Sequence, residues 1–189
     1  TQQGGTASFE FLRQVTDPRR SLERGGAGLM MIPRGLLSPN HPEEVLYEEE
    51  FVCVVWRGSA LALGELTFER YLAAGHVVMQ PPDGAGEAFE AWFVRRYGVA
   101  RRVAVTTYGF ATLAALVCGT DHVATMHARL AHAFAAAWPL EIKPPPLPIE
   151  RMEQAMQWHK YRTQDPGLAW LRALLRQAVR RMDAGAAAD

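Results

Sequence analysis

Short apolar runs separated by helical stretches constrain this chain more than any other feature. Leu29-Met30-Met31-Ile32 is continuously apolar, Phe51 to Trp56 nearly so, and His76 to Gln80 follows at a similar interval. Such runs suit strands whose two sheet faces are both covered. Between them lie helix starts with a physical signature. Asp17-Pro18 offers an N-cap carboxylate followed by a proline at the first helical position, and Gly25-Gly26 ends that helix. The Thr67 hydroxyl can accept an orphan N–H at the start of a helix over Phe68 to Ala74. Strand, short helix and strand in succession, with short links, indicate an α/β chain with largely parallel sheets.

The rest of the chain continues the theme. Ser8 to Val15 reads as a strand and Val45 to Tyr47 as an edge strand. Phe89, Trp92, Phe93 and Tyr97 recur at helical spacing before Gly98. Arg102 to Thr106 is a strand, and Phe110, Leu113, Leu116 and Val117 form a helical stripe ending at Gly119. Val123 to Met126 is a strand leading into a helix marked by Leu130, Phe134 and Trp138. Pro144 to Pro148 forbids regular ladder pairing and reads as a bridge between units or an edge segment. The final helix starts at Asp165-Pro166 and carries Leu168, Leu171, Leu175, Val179 and Met182 on one stripe.

Several function classes are disfavoured. Lys plus Arg equals Asp plus Glu at 20 each, so no global charge draws the chain to nucleic acid or an anionic membrane. Cys53 and Cys118 sit in apolar runs, as buried thiols of a reducing, cytoplasmic compartment do. No run approaches the ~20 apolar residues that span a bilayer, and the first residues do not read as a signal peptide. A phosphate-cradling glycine loop after a strand, H-E-x-x-H and G-x-S-x-G are all missing. His127 and His132 are five apart on a helix and point away from each other, with no acidic or Cys partner to complete a metal set. The residues therefore predict no catalytic group, no metal and no cofactor.

A ligand cleft remains. Open α/β sheets bind ligands beyond the carboxyl ends of their strands. Those ends supply Arg34, Gln80, Tyr108, Met126 and His127. The segment from Tyr108 through Phe110 to Thr112 opens a helix, whose free N–H groups attract a carboxylate. Aromatic walls with a few polar groups suit a small planar aromatic ligand bearing a carboxylate or hydroxyl. For Tyr108 or His127 taken singly, ordinary structural hydrogen bonding is an equal reading; their convergence carries the hypothesis.

Certain motifs also resemble a known family. Ser21-Leu22-x-x-Gly25-x-x-x-Leu29-x-x-Ile32, then Leu46 with Cys53-Val54-Val55, then Gly119-Thr120-Asp121-x-Val123-Ala124-Thr125 resemble the effector-binding domain of LysR-type transcriptional regulators. Trp158-His159 followed by Asp165-Pro166-Gly167-x-x-Trp170-Leu171-Arg172 is similar to one subgroup, the nodulation regulators and the regulators of naphthalene, salicylate and nitrotoluene degradation. The likeness runs from about residue 8 to residue 183.

The resemblance implies two Rossmann-like lobes of the type II periplasmic-binding-protein kind. The expected division is 1–79 with 157–189 for lobe one and 80–156 for lobe two, with an inducer between them. It implies a small aromatic effector, or larger flavonoids in the nodulation branch. It also implies homodimers or homotetramers of the full-length protein, and DNA contact only through an N-terminal winged helix-turn-helix domain that nothing here resembles. No membrane role is implied. The strand and long helix that usually open lobe one are not matched, and Gly26 and Gly28 stand where the family commonly has acidic residues. Adjacent strand residues face opposite ways. Trp158 is therefore assigned to the hinge–cleft side with the effector residues, and His159 to a structural hydrogen bond inside lobe one. Competing readings are an extracytoplasmic solute-binding protein of the same fold and a small α/β enzyme.

Overall fold

A computed structural model describes residues 8–12, 17–80 and 89–186. Two sheets organise these residues. The smaller contains β1 (Leu29–Pro33), β2 (Glu43–Glu49) and β8 (Met152–Trp158), in the order β1-β8-β2. The larger contains β3 (Phe51–Trp56), β4 (Gly75–Met79), β5 (Val103–Thr107), β6 (His122–His127) and β7 (Leu140–Lys143), in the order β5-β4-β6-β3-β7.

The local signals explain most helices. Asp17 accepts from the Arg20 backbone N–H at 3.1 Å and starts α1 (Pro18–Glu23), and Gly25 ends it at φ +75°. Thr67 accepts from the Arg70 N–H at 3.3 Å and starts α2 (Phe68–Ala73). Helix α3 spans Phe89–Tyr97, α4 spans Phe110–Val117 and α5 spans Ala128–Ala135. Asp165 accepts from the Leu168 N–H at 3.0 Å at the start of α6 (Pro166–Ala186).

The period of two along the strands sorts the larger core into two faces. Val54, Val77 and Ala124 pack with Leu113 and Val117 of α4 and Ala131 of α5. Their neighbours Cys53, Val55 and Val123 pack on the opposite face with Tyr71 of α2 and Phe93 of α3. Covering on both faces is why these strands read as unbroken apolar runs. The smaller sheet buries Met156 and Trp158 against Leu168 of α6, and Met30 and Ala155 against Leu22 of α1 and Leu37.

Three expectations change, and one strand lacked a sequence signal. The sheets are not largely parallel: β8 runs antiparallel to both β1 and β2, and β3 runs antiparallel to β6 and β7. Among the described residues only the pairs β4 with β5 and β4 with β6 are parallel. Strand β8 enters from the larger sheet through the proline segment with no helical crossover, and so can return antiparallel. The strand expected over Ser8 to Val15 is not formed by residues 8–12, where Phe9 instead stacks on Trp170 of α6 at 6.2 Å; residues 13–16 lie outside the described residues. Strand β7 went unread, because four residues beside a proline run give little signal. Finally, the expected division after residue 79 falls inside the five-stranded sheet. Ladders tie β3 to β6 and β7, and β4 to β5 and β6, so the chain passes between sheets at Glu50 and again between Lys143 and Met152.

Candidate functional site

Strands β4, β5 and β6 run parallel, so their carboxyl ends share one edge of the larger sheet. The Gln80 N–H donates to the Thr107 carbonyl at 2.9 Å, fixing those two ends side by side. Beyond them the chain turns through Tyr108 and Gly109 into α4, which begins with no side-chain cap. First-turn N–H groups of such a helix carry partial positive charge. Thr112 donates its hydroxyl to the Gly109 carbonyl at 2.7 Å and also meets the Thr107 hydroxyl, which holds the turn.

His127 ends β6, the middle strand of the larger sheet. Its ring stacks on Phe110 with centroids 4.3 Å apart and meets Phe51 edge-on at 5.3 Å. The antiparallel ladder sets Phe51 of β3 directly opposite His127, which explains the second contact. Burial pushes the His127 imidazole below the ordinary histidine range, which favours its neutral form. A neutral imidazole carries one donor and one acceptor and has an apolar face for stacking.

The structure thus brings together Gln80, Tyr108, Phe110, Thr112 and His127, with Tyr108 78% exposed at the rim. Met126 is fully buried one residue earlier and backs the edge as part of the core. Arg34 lies apart, after β1 of the smaller sheet, and its guanidinium is held by Glu43 at 2.7 Å and Glu153 at 2.9 Å.

Trp158 departs furthest from expectation. Strand β8 starts at Met152, opposite Glu49 beside the crossover, and ends at Trp158, opposite Leu29. At ~3.3 Å per residue, Trp158 is about 20 Å further along the strand. Its ring is 7% exposed among Met156 and Leu168, its Nε1 donates to Thr163 Oγ1 at 3.2 Å, and the Arg172 guanidinium covers it at 4.1 Å. His159 takes the more open side. Its Nδ1 accepts from the Tyr161 N–H at 3.3 Å, and its ring lies 4.5 Å from that of His41. The two faces are therefore reversed, while the structural hydrogen bond of His159 is present.

Sequence reasoning missed Phe51, read only as a strand start. It also missed Glu49, which hides in an acidic run that resembles a solvated edge. A buried polar group on the far face of the larger sheet was unread as well. There Tyr71 Oη lies 2.8 Å from Thr125 Oγ1, and Arg101 reaches Tyr71, Thr125 and His76. Burial, then the Arg101 charge, pushes His76 down to about 4, and burial pushes the Cys53 thiol up to about 12. Cys53 is a core residue and not a thiolate nucleophile.

Comparison with known proteins joins this geometry to a family. The LysR substrate binding domain matches residues 12–180. The chain belongs to that family. Nodulation protein D 1 of Bradyrhizobium diazoefficiens is 33% identical over 184 residues, 97% of this chain and 59% of the relative. Nodulation protein D 1 of Rhizobium meliloti is 35% identical over 176 residues, 93% of this chain and 57% of the relative. The chain thus spans under three-fifths of the length of these LysR-family relatives. Among solved structures, the regulatory domain of MexT, a transcriptional activator in Pseudomonas aeruginosa, superposes with a TM-score of 0.68 at 25% identity, covering 84% of this chain and 76% of that one. The regulatory domain of reduced OxyR2 from Vibrio vulnificus shares the fold, with a TM-score of 0.66 at 12% identity over 89% of this chain and 78% of that one. The two-sheet α/β fold is that of LysR regulatory domains, the type II periplasmic-binding-protein arrangement. Among the described residues no helix is long and apolar enough to cross a membrane.

Proposed function

We propose that this chain is the effector-sensing part of a transcriptional regulator and takes a small planar aromatic molecule bearing a hydroxyl or carboxylate. The observation that carries this reading is the His127 ring packed between Phe110 and Phe51, beside the uncapped start of α4. Stacking would supply affinity for a flat ring. The His127 nitrogens would read a hydroxyl, and the α4 N–H groups would favour negative charge. Gln80, Tyr108 and Thr112 complete the polar rim, whereas Trp158 and Arg34 serve lobe structure.

The lobes in this proposal are residues 29–49 with 152–186, and residues 51–143. They are joined at Glu50 and at the segment between Lys143 and Met152, and the effector lies between them. Within the longer protein, the domain works as a dimer or tetramer and reaches DNA through a separate winged helix-turn-helix domain in the cytoplasm, without catalytic turnover of the effector. Isothermal titration of this chain with salicylate, a hydroxyflavone, glucose and glutamate tests the ligand class. Saturable binding to an aromatic, weakened by His127→Gln and by Phe110→Ala, is expected. Binding to the sugar or amino acid and to neither aromatic would reject it.

A further inference from the structure

Helix α5 opens immediately after His127, and its N-cap position supplies no side-chain hydrogen bond. Its first-turn N–H groups must find acceptors elsewhere. Two of these groups find them at the end of β2 and at the crossover that follows it. Glu49, the last residue of β2, accepts from the Arg129 N–H at 3.4 Å and from the Glu50 N–H at 3.2 Å through the same carboxylate oxygen. The Ala128 N–H donates to the Glu50 carbonyl at 2.8 Å. Glu49 is 4% exposed, so its carboxylate is placed by these donors and not by water.

The side chain of Arg129 points the same way. Its guanidinium lies over the Tyr47 ring of β2 at 4.8 Å and bonds Asp183 of α6 at 2.8 Å. Tyr47, Glu49 and Asp183 all belong to the smaller sheet or its covering helix, while α5 belongs to the larger. At the adjacent crossover Arg151 bonds both Glu48 and Glu50, which ties the two passing segments together.

We propose that Glu49 is a positioning residue: it caps α5 from across the sheet boundary and so fixes where the His127 ring stands. Arg129 clamps the same first turn to Tyr47 and α6. The Ala128 N–H belongs to the same planar peptide as the His127 carbonyl, so holding the first turn of α5 holds the backbone from which the His127 ring projects onto Phe110. A displacement of the ring therefore bears directly on a contact between the two sheets.

The placement of His127 is testable without any ligand. In the NMR spectrum of this chain, the His127 Cε1–H signal, assigned by its loss in His127→Gln, carries the ring-current shift of Phe110. Glu49→Ala is expected to move it toward the position of an unstacked histidine. Glu49→Gln keeps an acceptor oxygen and should leave it near the parent position. Thr67→Ala, which removes a cap far from the edge, should not move it. An unmoved signal in Glu49→Ala, or an equal movement in Glu49→Gln, would overturn the proposal. Should Glu49→Ala not fold, Glu49→Asp, shorter by one methylene, makes the same comparison: movement in the same direction supports the proposal and an unmoved signal overturns it.

A second arm rests on the aromatic-effector reading. Salicylate affinity should fall about tenfold in Glu49→Ala and less than about threefold in Glu49→Gln, the scale of losing or keeping a helix cap. Failure of salicylate to bind the parent chain would count against the ligand class alone, since the NMR comparison decides the role of Glu49 independently.

Discussion

Replacing Trp158 with alanine should cost stability and leave the sensing edge untouched. The ring is 7% exposed and packs against Met156 and Leu168 under α6. Truncating a buried Trp to Ala costs ~3–5 kcal/mol, because transfer energy is lost and a cavity remains. The Arg172 guanidinium at 4.1 Å loses its cation–π partner, worth ~0.5–2 kcal/mol more. The total of ~3.5–7 kcal/mol is below the middle of the stability range of a typical domain, ~5–15 kcal/mol, so a parent of ordinary stability keeps a weakened fold. At ~2–4 °C per kcal/mol for a chain of this size, the melting temperature should drop by ~7–28 °C. Trp158→Phe keeps most of the packed surface and should lose less than half of that. Thermal melts followed by circular dichroism, with titration of an aromatic ligand below the transition, measure both quantities. A melting temperature within ~2 °C of the parent, or a large loss of affinity at unchanged stability, would refute the assignment of Trp158 to the core of the smaller sheet.

Other consequences follow from the same contacts. His76 is fully buried and held down at about 4, so the unfolded chain takes up its proton first as pH falls. A depressed histidine costs nothing above pH ~6.5 and withdraws stability between pH ~6.5 and ~4, by ~3 kcal/mol in all. Urea midpoints at pH 7.5 and 5.0 should show this slope, and His76→Gln should flatten it; an equal slope in the variant would place the effect elsewhere. Thr67→Ala removes the acceptor for the Arg70 N–H and should cost ~1 kcal/mol by chemical denaturation, with no change at the His127 edge. Cys53, with its thiol pushed up to about 12, should resist alkylation by iodoacetamide at pH 8 in the folded chain and react once urea unfolds it. Rapid labelling of Cys53 in the folded chain would contradict its burial.

The helix starts at Asp17, Thr67 and Asp165 and the strands β1, β3 and β4 were legible in the sequence because their causes are local. A cap needs an oxygen three residues from an N–H, and a buried strand needs a short apolar run. The carboxyl-edge cluster of Gln80, Tyr108, Phe110, Thr112 and His127 was legible for a related reason. Once strands alternate with helices, the strand ends that supply ligands can be counted off in order. Strand direction was not legible. Whether β8 runs toward or away from the crossover decides where Trp158 ends up, and no residue within β8 encodes that; it follows from pairing with β1 and β2, more than 100 positions away in sequence. Register of that kind also decided which sheet holds β3 and β4, and set Phe51 opposite His127.

Spacing within short windows set the α/β class, the family likeness, most helix boundaries and the edge on which a ligand would be sought. Only the tertiary structure decided that Glu49, one carboxylate in an acidic run, is buried as the cap of a helix from the other sheet. Packing alone put Trp158 in the core and left His159 half-buried. The physical reason is common to both: burial and hydrogen-bond partnership are properties of what lies across the sheet or the crossover, and the chain brings those neighbours in from distant positions.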